Sequence, residues 1–150
     1  MSRESDFATR MQADTALMAA LTGGVFTSAG VGREGITRET APTAFDANGY
    51  LKPCALVRQR GITPDGIVYD GMMQVTSVRQ VVEIWLYQDG GYTSIDTAVN
   101  RLYQLFQGYV MSGTHEIRLA GVLDRQRDPG ALAGASLVRL DWQIDSVIGD

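Results

Sequence analysis

The chain has 150 residues, 45% of them apolar and 20% charged, with a net charge of −4. These values fit one globular domain able to bury about 70% of its unfolded surface, and they exclude a disordered chain. They also argue against a nucleic-acid grip, which needs clustered Lys and Arg to displace counterions.

In chain order, residues 4–21 have helical spacing, with Phe7, Met11, Leu17, Met18 and Leu21 on one side, Ser2 or Ser5 as a cap and Gly23-Gly24 as a stop. Residues 25–28 make a short strand, and 29–52, rich in Gly, Thr and Pro, form a long loop without a period. Loops of that length inside a domain are usually functional or ordered by a partner. Residues 54–60 form a strand, Thr63-Pro64-Asp65-Gly66 a turn, and 72–87 a very long strand, whole or split by a bulge. The outer part of this hairpin, about 60–76, is longer than the body requires and is expected to project. Residues 94–109 carry the best helical stripe: Ile95, Ala98, Val99, Leu102, Leu105, Phe106 and Tyr109. Thr93 and Asp96 have the spacing of a capping box. A strand at 114–123, a charged loop at 124–134 and a strand at 137–148 complete the chain. In the last strand Val138, Leu140, Trp142, Ile144 and Ile148 face one way, and Arg139, Asp141, Gln143 and Asp145 the other. The expected architecture is α+β, a single domain with two helices packed on one face of an antiparallel sheet and a projecting β-hairpin.

No constellation for catalysis, cofactor binding or metal binding stands out. Gly30-Val31-Gly32-Arg33-Glu34-Gly35 has the form of a dinucleotide loop, but no apolar-periodic helix follows it. Cys54 and His115 are the only cysteine and histidine, too few for a usual zinc set, and no nucleophile-elbow sequence surrounds Cys54. Asp141 and Asp145 lie about 13 Å apart along one strand, beyond the spacing of a glycosidase pair. Tyr92, Tyr103 and Tyr109 fit packing better than base stacking. A lone cysteine points to a reducing compartment, and the absence of an apolar signal core or a long apolar run points to an intracellular product without a membrane span. Twelve of the thirteen Lys and Arg residues are arginines, a bias that a GC-rich genome explains about as well as a protein interface, where the type suits bidentate contacts with carboxylates. Arg58, Arg60, Arg79, Arg125 and Arg127 are therefore the candidate contacts with a neighbouring chain, and by elimination the chain is an assembly protein.

The stretches "LTGGVF", "LKPCALVRQRG" and "VVEIWLYQDGGYTSIDTAVNRLYQLFQG" resemble the tail terminator (tail completion) proteins of long-tailed bacteriophages. The resemblance lies in the order of elements along nearly the whole chain. It implies an α+β subunit of a hexameric ring at the neck of the virion. Such a ring ends tail-tube polymerisation and joins the tail to the head connector or stopper protein. It would be assembled in the host bacterial cytoplasm, with DNA passing through its lumen without specific binding. The family has no catalytic residue to carry over. The alternatives are another neck protein, such as a head-completion or stopper ring, or a small soluble enzyme or ligand-binding domain. The last would be marked by a deep pocket lined by Cys54 and His115.

Overall fold

A computed structural model describes residues 3–69, 72–111, 113–127 and 134–147, the side chains of 62–69, 72–77, 127 and 147 excepted. The elements are α1 (Glu4–Gln12), α2 (Thr15–Ala20), β1 (Gly24–Thr27), α3 (Ser28–Val31), a 3-10 turn (Pro42–Ala44), β2 (Cys54–Tyr69), β3 (Met72–Gln88), α4 (Thr93–Phe106), β4 (Arg118–Arg127) and β5 (Ser136–Val147). The strands form one sheet in the order β1-β2-β3-β5-β4. The α+β class expected from the sequence is the one observed. The sheet is antiparallel except at β1, which pairs parallel to β2 from Gly24↔Cys54 to Thr27↔Val57. Parallel neighbours need a long crossover, and residues 28–53 supply it.

Strand alternation assigns the two faces. Ala55 and Val57 of β2, Val82, Ile84 and Leu86 of β3, and Val138, Leu140, Trp142 and Ile144 of β5 line one face and are buried. Helices α1, α2 and α4 cover that face with Phe7, Met11, Leu17, Leu21, Ile95, Ala98, Leu102 and Phe106. The ring of Phe106 stacks on Phe7 at 4.4 Å between centroids and lies 5.8 Å from Trp142, tying α4 to both α1 and β5. The other face of the sheet meets the crossover. Val31, Ile36, Ala41, Ala44 and Leu51 bury a second, smaller cluster against Cys54, Leu56, Tyr87 and Leu137.

Several boundaries differ from the sequence reading, each for a local reason. The N-terminal helix is two helices, because the Asp14 carboxylate accepts the Leu17 N–H at 2.8 Å and starts a new helix in mid-run. Neither expected cap starts α1: Arg3 is its N-cap, Ser5 lies inside the helix, and Ser2 is outside the described residues. The Thr93/Asp96 capping box does not form. Gln88 instead accepts the Ile95 N–H at 3.4 Å, and Asp96 pairs with Arg125 at 3.0 Å. Strand β4 runs on to Arg127, through part of the stretch expected to be loop. It hides there behind a bulge between Leu123 and Gln126, where Arg125 takes a left-handed φ of 47°. Residues 128–133 and Ile148 lie outside the described residues.

The β2–β3 ladder reaches further than the sheet. The last rung between β3 and β5 is Ser77↔Val147, whereas β2 and β3 stay paired as far as Tyr69↔Met72. Among the described residues the ladder beyond Ser77 is a two-stranded ribbon, the hairpin expected to project.

The packing gives two expected outcomes. Leu102 is fully buried, so Leu102→Ala should lower stability by about 2–5 kcal/mol in a denaturant titration. An exposed partner-binding stripe would leave the midpoint unmoved. Asp14 also pairs with Arg101, through Nε at 2.9 Å and Nη2 at 2.5 Å. That hydrogen bond is the main reason its carboxyl sits below the ordinary 3.8; the Leu17 N–H and nearby positive charge add to it against the cost of burial. A carboxylate depressed in the folded state contributes fully above the unfolded pKa and is lost as pH falls through the folded one. The stability gap between wild type and Asp14→Asn should therefore be widest near neutrality and shrink below about pH 4. Equal gaps at both ends of the titration would remove Asp14 from the acid response.

Candidate functional site

Residues with chemistry gather on the part of the sheet that the crossover leaves open. There β3 contributes Arg79, Glu83 and Trp85, β5 contributes Arg139, Asp141 and Asp145, β2 contributes Arg58 and Arg60, and β4 contributes Arg118. Strand alternation and register bring them together: Glu83 is opposite Asp141 and Arg58, Trp85 opposite Arg139, and Arg79 opposite Asp145. Glu83 and Asp141 are directly opposed like charges, an arrangement that needs a cation between them. Arg60 supplies it, reaching both carboxylates at 3.2 Å from one Nη2. It follows Arg58 by two residues on the same face of β2, where the register shifts between Gln59 and Ile62. The hydrogen bond to Glu83 pushes its pKa further up, and Asp141 adds to the effect, so its charge is fixed.

Arg139 closes the group from β5. Its Nε lies 3.7 Å from Glu83 and 3.0 Å from Asp141 Oδ1. The shorter contact joins the charges, but the N–H is not aimed at the oxygen. Arg139 Nε and Asp141 Oδ1, like Trp85 Nε1, are thus buried without a directed hydrogen bond. Arg139 and Arg58 both approach the Trp85 ring, at 5.2 and 5.9 Å from its centroid. A second group sits about 13 Å further along the strands, where Asp145 takes Arg79 at 3.2 Å and Arg118 at 3.5 Å. The carboxylates are mostly buried, with 11–18% of each side chain exposed, whereas Arg60, Arg79 and Arg118 are 47–61% exposed. The face is therefore acidic beneath and basic on top.

Of the five arginines singled out from sequence, Arg58, Arg60 and Arg79 lie on this face. Arg125 lies elsewhere, in the β4 bulge, paired with Asp96 and stacked 5.1 Å from the Tyr92 centroid. Arg127 ends β4 opposite Ser136, and its side chain is outside the described residues. The sequence reading missed Arg118 and Arg139. For Arg139 the signal was present in the alternation of β5, while Arg118 depended on the register of β4.

The other candidates separate. Cys54 pairs with Tyr87, which faces Leu137, while the backbone of His115 donates to the Asp145 carbonyl at 2.8 Å. Leu137 and Asp145 are eight residues apart, or about 26 Å along the strand, so the two side chains cannot form a dyad. The Gly30–Gly35 stretch begins inside a helical turn, α3, and leaves it at its C-terminal end, whereas a dinucleotide loop precedes its helix. A shallow depression of about 330 Å³ lies on the crossover between Arg38, Phe45 and Asn48, and neither Cys54 nor His115 lines it. Tyr103 packs edge-on to Trp142 at 6.2 Å, Tyr109 lies under the Arg10 guanidinium at 3.4 Å, and Tyr92 donates to the Gln126 carbonyl at 3.0 Å. Among the described residues no group of three His, Cys, Asp or Glu could hold a metal ion, and no helix is long and apolar enough to cross a membrane.

No family model matches the chain, and no curated protein matches it. Among solved structures it is similar to a chain of the "Virion of native gene transfer agent (GTA) particle", at a TM-score of 0.56 and 12% identity, over 93% of this chain and 90% of that one. At that identity the likeness is one of fold.

Burial pushes the Cys54 thiol up to about 12, and Asp89 adds to the shift. The thiolate is the reactive form, so native protein at pH 8 should resist alkylation and react only once denatured. Rapid labelling of the folded chain would reopen a nucleophilic role for Cys54.

Proposed function

We propose that the chain is a structural protein of a phage-like virion, a tail terminator. Its copies close into a ring of six at the head-proximal end of the tail tube. The ring ends tube polymerisation and joins the tail to the connector or stopper protein, and DNA slides through its lumen without specific binding. The observation that carries this reading is the fold likeness to a gene transfer agent virion chain, which spans nine-tenths of both chains. The sequence resemblance points the same way. So does the character of the site: an exposed sheet face of paired charges suits contact with another protein better than it suits turnover of a small molecule, for which a concave apolar pocket is the norm.

The functional test is removal of the gene from cells that produce the particles. The expected outcome is tails of uncontrolled length that fail to join heads, corrected by supplying the chain in trans. Tails of normal length beside leaking heads would assign the chain to the stopper position instead. Normal, fully joined particles would end the neck reading. In the rescued particles, a reconstruction should place the chain in a cyclic ring between tail tube and connector.

A further inference from the structure

We propose that the arginine-topped face of the sheet is the seat for the β2–β3 ribbon of the next copy of this chain. The inference rests on the ring reading above and specifies which surfaces meet within it.

Three observations support it. The first is charge. The face carries five arginines, Arg58, Arg60, Arg79, Arg118 and Arg139, against Glu83, Asp141 and Asp145. That is a surplus of two positive charges on a chain whose net charge is −4. Arg58 has no carboxylate partner among the described residues; its recorded contact is the Trp85 ring. The ribbon is the complement: residues 61–77 contain two aspartates and no Lys, Arg or His. The second is the state of the ribbon. From Gly66↔Val75 to Tyr69↔Met72 its strands pair only with each other among the described residues. A two-stranded ribbon is marginal in water, and one carrying Ile67, Val68, Tyr69, Met72, Met73 and Val75 gains by lying on a surface. The third is reach. Ser77 to Met72 spans about 17 Å, enough to cross the face, which is about 14 Å from β2 to β4 and about 20 Å along β3 from Arg79 to Trp85. The ribbon continues the ladder beyond the end of its own face, so the face it can cover belongs to a neighbour. Two different surfaces, ribbon and face, then meet at every contact, which is the head-to-tail arrangement that closes into a ring.

The contact is tested by reciprocal charge exchange in the full chain. One variant carries Asp65→Arg and Gln74→Arg on the ribbon, and the other Arg58→Glu and Arg118→Glu on the face. These arginines avoid the Arg60–Arg139 group, and thermal unfolding verifies that each variant folds. Ring assembly is followed by sedimentation of purified chains and by rescue of particles lacking the gene. Each variant alone should lose roughly tenfold or more in assembled fraction, because like charges then oppose across the contact. Co-expressed, the two should recover assembly, since every contact in an alternating ring of six again joins opposite charges. Folded variants that assemble normally alone would overturn the contact, as would a mixture that stays unassembled while wild type forms rings. If the wild type formed no ring in solution or in particles, the ring reading itself would fail, and the contact with it. Variants that do not fold are replaced by Asp65→Asn and Arg58→Gln. These should weaken assembly more at low salt than at high salt, and an unchanged salt response would count against the contact.

Discussion

Val82, Ile84 and Leu86 point to one side of β3, and Glu83, Trp85 and Tyr87 to the other. The rest of the molecule takes its position from that alternation. The strand is central in the order β1-β2-β3-β5-β4, so both its edges are filled and its register is fixed on both sides. A slip of one residue would send three apolar side chains into the charged face and Glu83 into the helical core, which is why such a register is strongly specified. The helices answer the apolar side. On the other side the crossover covers the end near Tyr87 and leaves the end near Glu83 open. The same six residues thus create both the core and the surface.

The edge of β2 shows how the chain protects this arrangement. Strand β1 covers β2 only from Cys54 to Val57, which leaves the next backbone donor open. Glu4, at the start of α1, accepts the Gln59 N–H at 2.9 Å and the Ala29 N–H at 3.3 Å, and also takes the Ser28 hydroxyl. The Arg3 N–H donates to the Gln59 side chain at 2.8 Å. One helix N-terminus therefore caps a sheet edge and anchors the start of the crossover, where a bare edge would invite unwanted strand pairing. Among the described residues the ribbon beyond Ser77 has no such cover from β5, a contrast within the same ladder.

Much of this was legible in the sequence. The period-2 alternation of β3 and β5 and the stripe of α4 are packing signals, and packing decides them. What stayed hidden was whatever lacks a period. Val31, Ile36, Ala41, Ala44 and Leu51 are buried from irregular backbone, which can turn any residue inward without leaving a pattern. The loop is held by short-range polar bonds. Thr40 bonds to the Thr37 N–H at 2.9 Å, and Asp46 accepts from Asn48 and Tyr50 at 2.9 Å each. Thr-x-x-Thr and Asp-x-Asn are signals, though weak ones, since such residues are common in any loop. The parallel pairing of β1 was equally silent, because four residues cannot reveal a neighbour's direction. At the site, the choice of arginine as the contact residue came from composition. Which arginines share a face came only from register, which sets Glu83 beside Asp141 and brings Arg60 within reach of both.

The energetics of the charged face separate its structural role from its use. Exposed ion pairs contribute about 0–1 kcal/mol each, so Arg60, Arg79 and Arg118 add little to a domain whose core holds Phe7, Leu102, Phe106 and Trp142. The carboxylates beneath them are a different matter. Glu83 and Asp141, side by side on adjacent strands, repel unless Arg60 or Arg139 stays between them. The pairs therefore keep the face flat and its arginines in place more than they stabilise the fold. A neighbour arriving on such a face exchanges partners instead of creating every pair anew, so a single contact is weak. Closing a ring makes the last contacts intramolecular and raises the effective concentration of each surface for the next. A contact too weak to hold two free subunits together can then hold a closed ring, and a platform that gathers subunits lowers the cost of the first contacts. In the ring proposed above, such a contact would close most readily where a platform, such as a finished tube, presents several copies at once.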